Sequence, residues 1–268
     1  MQGDELMDWQ EKVYSYCERG TDPAFWAEPA NALTNGAFII AAFVAWLRLR
    51  GKRPFDRDLD YYVMIGLVGL IGIGSFLFHT LASRWAAIAD VGPITLFILV
   101  YLAFALNRYL RVPPGTTLLL TIAFMGLSAL VMQIRCGGAG GLSVGGAGGR
   151  CLNGSLGYMP ALVVLWTFAG LLLRHRGHPA APYMAVAGGV FLVSVTMRSI
   201  DMSLCNSVVV GGYTLGTHFV WHVLNAVTLF TLMIAAIEHG RHGLSLQEIL
   251  PPPRGRPEQD STQATGDT

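Results

Sequence analysis

Seven long apolar stretches, separated by short polar segments, make up most of the chain. Each approaches the roughly 20 residues that an α-helix needs to cross a bilayer. Their apolar residues run continuously instead of alternating with polar ones, which is typical of membrane helices and not of half-buried strands. We therefore predict an all-α, polytopic membrane protein built as a bundle of seven transmembrane helices. The predicted spans are residues 31–47, 61–78, 86–106, 116–134, 156–173, 184–200 and 214–237.

The composition supports this prediction and suggests how the rest of the chain is organised. Hydrophobic residues make up 53% of the chain and charged residues 13%, a balance typical of integral membrane proteins. Residues 1–30 are predicted to form an N-terminal segment outside the bundle, and residues 31–240 form the seven-helix domain. Residues 241–268 contain too little apolar surface to fold, so we expect a disordered tail there.

Basic residues follow the first, third, fifth and seventh predicted helices, and this asymmetry predicts the orientation. By the positive-inside rule, the N-terminus lies outside and the C-terminus lies in the cytoplasm. The formal net charge of +1 gives no reason to expect a nucleic-acid partner. Short loops and a high content of Ala and Gly are compatible with a bacterial inner membrane. The basic residues of the predicted cytoplasmic side are Arg48, Arg50, Lys52, Arg53, Arg57, Arg108, Arg111, Arg174, Arg176, Arg241, Arg254 and Arg256.

All four cysteines fall on the predicted outer side, where disulfides can persist. Four cysteines permit three pairings. We favour Cys136 with Cys151, which would close a Gly-rich loop that we expect to be flexible. We also favour Cys17 with Cys205, which would tie the N-terminal segment to the loop before the last helix. Four free thiols are the alternative, and a zinc site is not expected because no C-x-x-C spacing occurs.

Three histidines lie within or at the end of the apolar stretches, where ionisable groups are costly unless they have a use. His218 and His222 are four residues apart and therefore share one face of the seventh helix. His79 lies near the end of the second helix, which the predicted topology brings to the same outer side. Three neutral imidazoles with an open fourth position are typical of a catalytic zinc site. Bound zinc lowers the pKa of its water to about 7.

Two further polar residues accompany His79. Ser75 is four residues earlier and on the same face, so its hydroxyl could bind a substrate carbonyl. Asp90 is predicted at the start of the third helix, with Pro93 in its first turn, and its carboxylate could transfer a proton. A lone Ser or His in a membrane helix more often makes a helix–helix hydrogen bond. A lone Asp at this position would be a helix cap.

A third polar group lies at the predicted outer end of the first helix. Glu28, Asn31 and Asn35 share one helical face because they are three and four residues apart. The alternative to a functional role is that the asparagines cap the helix or bond to neighbouring helices.

The pattern of these residues resembles a known family. The motifs Ser75-x-x-x-His79, Asp90 and His218-x-x-x-His222 look like the core signature of the alkaline ceramidases. The wider membrane-hydrolase superfamily also includes adiponectin-receptor-like proteins. The segment 27–35, with Cys17 and Glu18 upstream, points to the ceramidase branch. The resemblance extends from about Cys17 to the seventh helix and so covers most of the chain.

The resemblance implies a seven-helix hydrolase with zinc held by His79, His218 and His222. Its substrate would be ceramide, cleaved at the amide bond to a sphingoid base and a fatty acid. Ser75 would stabilise the developing oxyanion together with the metal, and Asp90 would relay a proton to the departing amine. The predicted topology, not the resemblance, places the active site toward the non-cytoplasmic side of the membrane. The pairing of Cys17 with Cys205 is also what the family suggests.

The resemblance further implies a regulatory calcium ion bound by the N-terminal segment. Carried over by position, its ligands would be Glu18, Glu28 and the backbone carbonyl of Tyr16. Ser15 and Gly20 stand where the family usually has an Asp and an Asn. Calcium takes six to eight oxygen ligands, so the loss of two side-chain ligands predicts a weak or absent site.

Two other functions compete with ceramide hydrolysis. The first is hydrolysis of an ester or another N-acyl lipid by the same chemistry, because nothing in the apolar spans visibly encodes a sphingoid headgroup. The second is a non-catalytic seven-helix receptor with a structural zinc. A retinal protein is excluded, since the only lysines, Lys12 and Lys52, lie outside the predicted helices and no Schiff-base amine is available in the core.

Overall fold

Seven helices are long and apolar enough to cross a membrane within residues 8–52, 59–137, 142–144, 149–174 and 177–240, which the computed structural model describes. This confirms the predicted all-α membrane bundle, and the protein is an integral, multi-pass membrane protein. The orientation of the bundle remains a prediction, and the predicted tail 241–268 lies outside the described residues. The spans are Pro29–Lys52, Leu59–Leu81, Arg84–Tyr109, Pro114–Met132, Cys151–Arg174, Ala181–Ile200 and His218–His239.

Three of these spans contain a local change of helix type or a break. The first consists of a short helix and a long one, which meet at Asn35. The third ends in a π-helical turn, Ala105–Tyr109, and the fifth begins with a 3₁₀-helix, Cys151–Tyr158. The α-helices are α1 (Pro29–Thr34), α2 (Gly36–Lys52), α3 (Leu59–Leu81), α4 (Arg84–Phe104), α5 (Pro114–Met132), α6 (Met159–Arg174), α7 (Ala181–Ile200) and α8 (His218–His239).

The most buried helix is α8, which packs against α2, α3 and α7. By contrast, α5 lies at the edge of the bundle and buries only Thr117 along its length. Because α3 and α8 are antiparallel neighbours, the last turn of α3 lies beside the first turn of α8. The bundle therefore brings His79 and His218 to the same end.

Short strands, which the sequence did not predict, interrupt the loops at this end. The strands β1 (Ile134–Cys136), β2 (Leu142–Val144) and β3 (Gly149–Arg150) pair antiparallel in the order β2-β1-β3. Strands β4 (Val209–Val210) and β5 (Tyr213–Thr214) form a hairpin before α8. The strand residues of the Gly-rich loop are paired with one another, and a disulfide joins Cys136 in β1 to Cys151, the residue after β3. The flexibility of this loop stays a prediction.

Both favoured disulfides are present. Cys136 and Cys151 are joined with 5.1 Å between their Cα atoms, and Cys17 and Cys205 with 5.4 Å. None of the four cysteines is free. The Cys17–Cys205 bond spans 188 residues of sequence and attaches the N-terminal segment to the loop between α7 and α8.

Candidate metal centre

Three histidines converge at the end of the bundle where α3 stops and α8 begins. One candidate ligand atom from each of His79, His218 and His222 lies within 4.8 Å of the others. The ring centroids are 4.6 to 5.2 Å apart, and the residues are 0 to 1% exposed. The structure thus brings together the three histidines that the sequence analysis grouped, in an arrangement that could hold a metal ion.

The ring of His79 is oriented by Glu28, the residue before α1. The Glu28 carboxylate lies 2.5 Å from Nδ1 of His79. Burial raises the pKa of Glu28, but hydrogen bonds from His79, Arg19 and Asn31 lower it below its usual value. The ionised carboxylate can only accept, so Nδ1 donates. The lone pair is therefore on Nε2, which is buried and has no hydrogen-bond partner.

The ring of His222 is oriented in the same way by Thr34, the last residue of α1. Thr34 Oγ1 lies 3.0 Å from Nδ1 of His222. The single hydroxyl proton of Thr34 is engaged with the carbonyl of Ala30 at 2.7 Å, so the hydroxyl can only accept from the imidazole. Nδ1 of His222 is consequently the donor, and Nε2 carries the lone pair.

His218 is positioned by Asp201, which follows α7. The Asp201 carboxylate accepts hydrogen bonds from the backbone N–H groups of Thr217 at 2.7 Å and His218 at 3.0 Å. These are N–H groups that the first turn of α8 leaves without helical partners. A third bond, from the N–H of Cys17 at 3.0 Å, joins the N-terminal segment to the same carboxylate.

The ring of Tyr16 covers His218 from the N-terminal side. The two rings stack with centroids 3.6 Å apart and planes 15° from parallel. Burial raises the pKa of Tyr16 to about 12, so its hydroxyl stays protonated. Nδ1 of His218 is buried without a hydrogen-bond partner.

The donor set therefore fits a cation of zinc's kind. A buried ring nitrogen without a hydrogen-bond partner is unfavourable, and this site holds such atoms on His79 and His218. Zinc prefers imidazole nitrogen, and its protein ligands typically donate their second N–H to a carboxylate or another acceptor. Glu28 and Thr34 are such acceptors.

Ser75 and Asp90 lie next to this cluster. Ser75 is one turn before His79 on α3, and it is 2% exposed. Asp90 on α4 is also buried, and the Ser75 hydroxyl faces its carboxylate closely enough to interact with it.

The expectation that Asp90 starts a helix is wrong. Helix α4 begins at Arg84, so Asp90 lies in its second turn. The reason lies in the N-terminal segment, whose carbonyls at Glu11 and Trp9 accept from the N–H groups of Arg84 and Trp85. These contacts satisfy N–H groups that a helix start leaves open, and α4 therefore extends further than its apolar pattern indicates.

Helices α3 and α4 approach each other most closely beside Ser75 and Asp90. A Cβ atom on Gly74 would overlap the backbone carbonyl of Ala89. Pro93 lies inside α4 and has no N–H to donate to that carbonyl four residues earlier. Gly74 and Pro93 together therefore allow a tight contact between the two helix backbones. This contact brings Ser75, which follows Gly74, close to Asp90, which follows Ala89.

Arg198, in the last turn of α7, is a site residue that the sequence reasoning missed. Its guanidinium donates to the hydroxyl of Tyr16 and lies 5.2 to 5.7 Å from the ring centres of Tyr16, Tyr158 and Trp221. It lines the same open pocket as Asp90. The sequence feature that could have revealed Arg198 is an arginine in an apolar helix, because such a charge is costly without a partner.

A narrow apolar cavity lies deeper in the bundle. It begins one turn beyond Asp90, at Ile94 on α4, and close to His222, at Asn225 on α8. A separate open pocket is lined by Tyr16, Asp90 and Arg198, together with residues of the N-terminal segment. The site thus has a polar mouth and an apolar interior. Further lining residues of the interior are Phe97, Tyr101, Phe124, Leu165, Phe168 and Leu229.

The expected calcium ligands do not form a calcium site. Both carboxylate oxygens of Glu18 accept from backbone N–H groups, of Ala30 at 2.7 Å and Asn31 at 2.8 Å. Burial raises the pKa of the Glu18 carboxyl. The oxygens of Glu28 are engaged by its own partners, and the carbonyl of Tyr16 accepts from the N–H of Gly20. The residues present do not fit calcium.

Comparison with known proteins agrees with this site. The family model described as Ceramidase matches residues 7–248, which is most of the chain. No curated protein matches the chain significantly. The match includes the N-terminal segment, all seven helices and the three clustered histidines. The chain therefore belongs to the ceramidase family.

Proposed function

We propose that the protein is a zinc-dependent intramembrane amidohydrolase that cleaves ceramide to a sphingoid base and a fatty acid. The observation that carries this proposal is the pair of oriented imidazoles, His79 on Glu28 and His222 on Thr34. In each ring the hydrogen bond at Nδ1 leaves Nε2 as the nitrogen that can bind a metal, and Nε2 of His79 is buried without a hydrogen-bond partner. Family membership supports a lipid hydrolase, and the bundle supplies an apolar interior for its substrate.

The three imidazoles would hold the zinc as neutral donors. When bound, zinc supplies a Lewis acid for the amide carbonyl and activates water at neutral pH. The rings of His79 and His222 are oriented by Glu28 and Thr34, and Asp201 holds the backbone at His218. The side chains are thus arranged before substrate arrives, and little reorganisation is needed during the reaction.

Ser75 would bind the carbonyl oxygen of the amide. Its hydroxyl lies on the same helical face as His79, one turn away, and it is buried. A hydrogen bond from a buried hydroxyl strengthens as negative charge develops on that oxygen. Ser75 would therefore stabilise the transition state more than the bound substrate.

Asp90 would move the proton. Amide cleavage needs a base that accepts a proton from the attacking water and an acid that gives one to the departing nitrogen. Asp90 lines the mouth beside Ser75, and in the proposed mechanism its carboxylate serves both steps in turn. The amine leaves with the proton that Asp90 took from water, so the carboxylate is regenerated.

The shape of the site supports a lipid substrate. One chain of the lipid would occupy the apolar cavity between α4 and α8, and the headgroup would face the polar mouth near Arg198. The amide would then lie at the boundary between them, where the histidines are.

The test combines metal content with product analysis. We expect the purified protein to contain one zinc and to release a sphingoid base and a fatty acid from ceramide, with loss of activity in a chelator. His79→Ala and His218→Ala should abolish hydrolysis, whereas His239→Gln, at the far end of α8, should not. Matched amide and ester lipids give the specificity. Wild-type rates in His79→Ala would overturn the proposal, and faster cleavage of the ester would favour the rival lipid hydrolase.

A further inference from the structure

Arg19 is a fully buried cation in the N-terminal segment. Its side chain is 0% exposed, and that of its ion-pair partner Glu28 is 4% exposed. A buried charge is unfavourable unless it is paired and hydrogen-bonded. The surroundings of this guanidinium are therefore built to accept it.

Every N–H of the Arg19 guanidinium group has an oxygen acceptor in reach. Nε lies 2.5 Å from the Glu28 carboxylate. The other four contacts are to backbone carbonyls on two separate parts of the chain, at 2.8 to 3.3 Å. Nη1 donates to Asp22 and Ala24, and Nη2 donates to His79 and Thr80.

Oxygen atoms of these kinds are the ligands that a hard metal cation binds. One carboxylate oxygen and several carbonyl oxygens are typical calcium ligands, yet here they surround an organic cation. We propose that Arg19 is the chain's own cation in place of calcium: it holds the N-terminal segment on the end of α3 and positions Glu28 against His79.

The contacts act on His79 from two sides. Arg19 bonds to the backbone carbonyl of His79, and through Glu28 it also fixes the imidazole ring. Because an arginine presents a rigid fork of five donors, it sets both positions with one group. Arg19 is thus a positioning residue, and its connection with metal binding rests on the proposed zinc site.

The first test uses the wild-type protein and does not require a measurement of enzymatic activity. We expect its thermal unfolding temperature in detergent to be the same in millimolar calcium and in a calcium-selective chelator. Titration calorimetry with calcium should show no saturable binding. A rise in unfolding temperature with calcium, or saturable calorimetric binding to the N-terminal segment, would overturn the proposal even if the protein hydrolyses ceramide.

The second test measures how fast bound zinc is lost to a competing chelator, well below the unfolding temperature. We expect Arg19→Gln to lose zinc at least about 10-fold faster, because removing a group that orients a metal ligand typically weakens metal binding by that factor or more. The matched control is Lys12→Gln. Lys12 also bonds from the N-terminal segment to the end of α3, at the carbonyl of Leu81, 2.6 Å away, but it does not touch Glu28.

Equal zinc loss in Arg19→Gln and Lys12→Gln would show that Arg19 only anchors the segment, and it would overturn the positioning role. If Arg19→Gln does not fold, Arg19→Lys takes its place. Lysine keeps the charge but cannot reach both sets of carbonyls, so faster zinc loss than in Lys12→Gln is still expected. If the wild-type protein never binds zinc, the proposed function is refuted. The replacement of calcium by Arg19 is still decided by the calcium test, which does not depend on zinc.

Discussion

The carboxylate of Glu28 and Nδ1 of His79 lie 2.5 Å apart, although 51 residues separate them in sequence. Glu28 precedes α1, whereas His79 lies in the last turn of α3, so the contact joins the first two spans at the metal centre. Its chemical effect is to fix one tautomer of the imidazole and one direction for its lone pair. Changing a residue that orients one of the histidines should therefore alter metal binding although the histidine itself is kept.

Replacing Glu28 by Gln should weaken metal binding without removing a candidate ligand. The amide keeps the size of the side chain but loses the charge that favours donation from His79 and pairing with Arg19. We expect zinc affinity to fall about 10- to 100-fold, measured by competition with a chromophoric chelator. Glu238→Gln removes a carboxylate that pairs with Arg48 at the other end of the bundle. An equal loss of affinity there would contradict a specific role for Glu28.

Thr34 offers a test of the second oriented imidazole. Thr34→Val is nearly isosteric but removes the oxygen that accepts from His222, and it leaves that buried N–H without a partner. We expect weaker zinc binding, by about 10-fold, and lower activity. Thr34→Ser keeps the oxygen and should retain the affinity. If the Val and Ser variants behave alike, the hydroxyl does not orient His222.

The contact between α3 and α4 can be tested with three glycines of the same helix. Gly74→Ala places a methyl group against the backbone of Ala89 and should force the helices apart, at a cost of about 1 to 3 kcal/mol. Because Ser75 and Asp90 adjoin this contact, hydrolysis should fall as well. Gly66→Ala and Gly69→Ala meet open space and should be neutral or slightly stabilising, because Ala is the better helix former. The measurements are thermal unfolding in detergent and the rate of ceramide cleavage.

The helices and the histidine cluster could be predicted from the sequence because they depend on local patterns and helix direction, not on contacts between distant segments. A span is recognised by the length of its apolar run, and the face shared by His218 and His222 follows from helical spacing. The convergence of His79 with them needed one more step, the alternation of helix direction across the membrane.

The rest could not be predicted because it depends on contacts between distant segments. Helix α4 starts early since Trp9 and Glu11 supply acceptors for its first N–H groups, which no pattern within α4 reveals. The two acids of the N-terminal segment suggested calcium by position. Arg19, between them in sequence, looked like an ordinary loop charge until the fold placed His79 and Thr80 against it.

Asp201 joins three parts of the site, and its loss should show how they are coupled. Asp201→Ala leaves the buried N–H groups of Cys17, Thr217 and His218 without their acceptor. At about 1 to 3 kcal/mol for a buried group left unpaired, a large fall in the free energy of unfolding is expected.

The disulfide Cys17–Cys205 attaches the same N-terminal segment to the same loop as Asp201 does. The two links therefore share a structural effect, and removing both should not cost the sum of removing each. We expect a double-mutant cycle of Asp201→Ala with Cys17→Ser and Cys205→Ser to give a coupling of about 0.5 to 3 kcal/mol. The same cycle with Lys12→Gln in place of Asp201→Ala is the comparison. Strict additivity for Asp201 would mean that the carboxylate serves only to cap α8, and that the disulfide alone holds Tyr16 over His218.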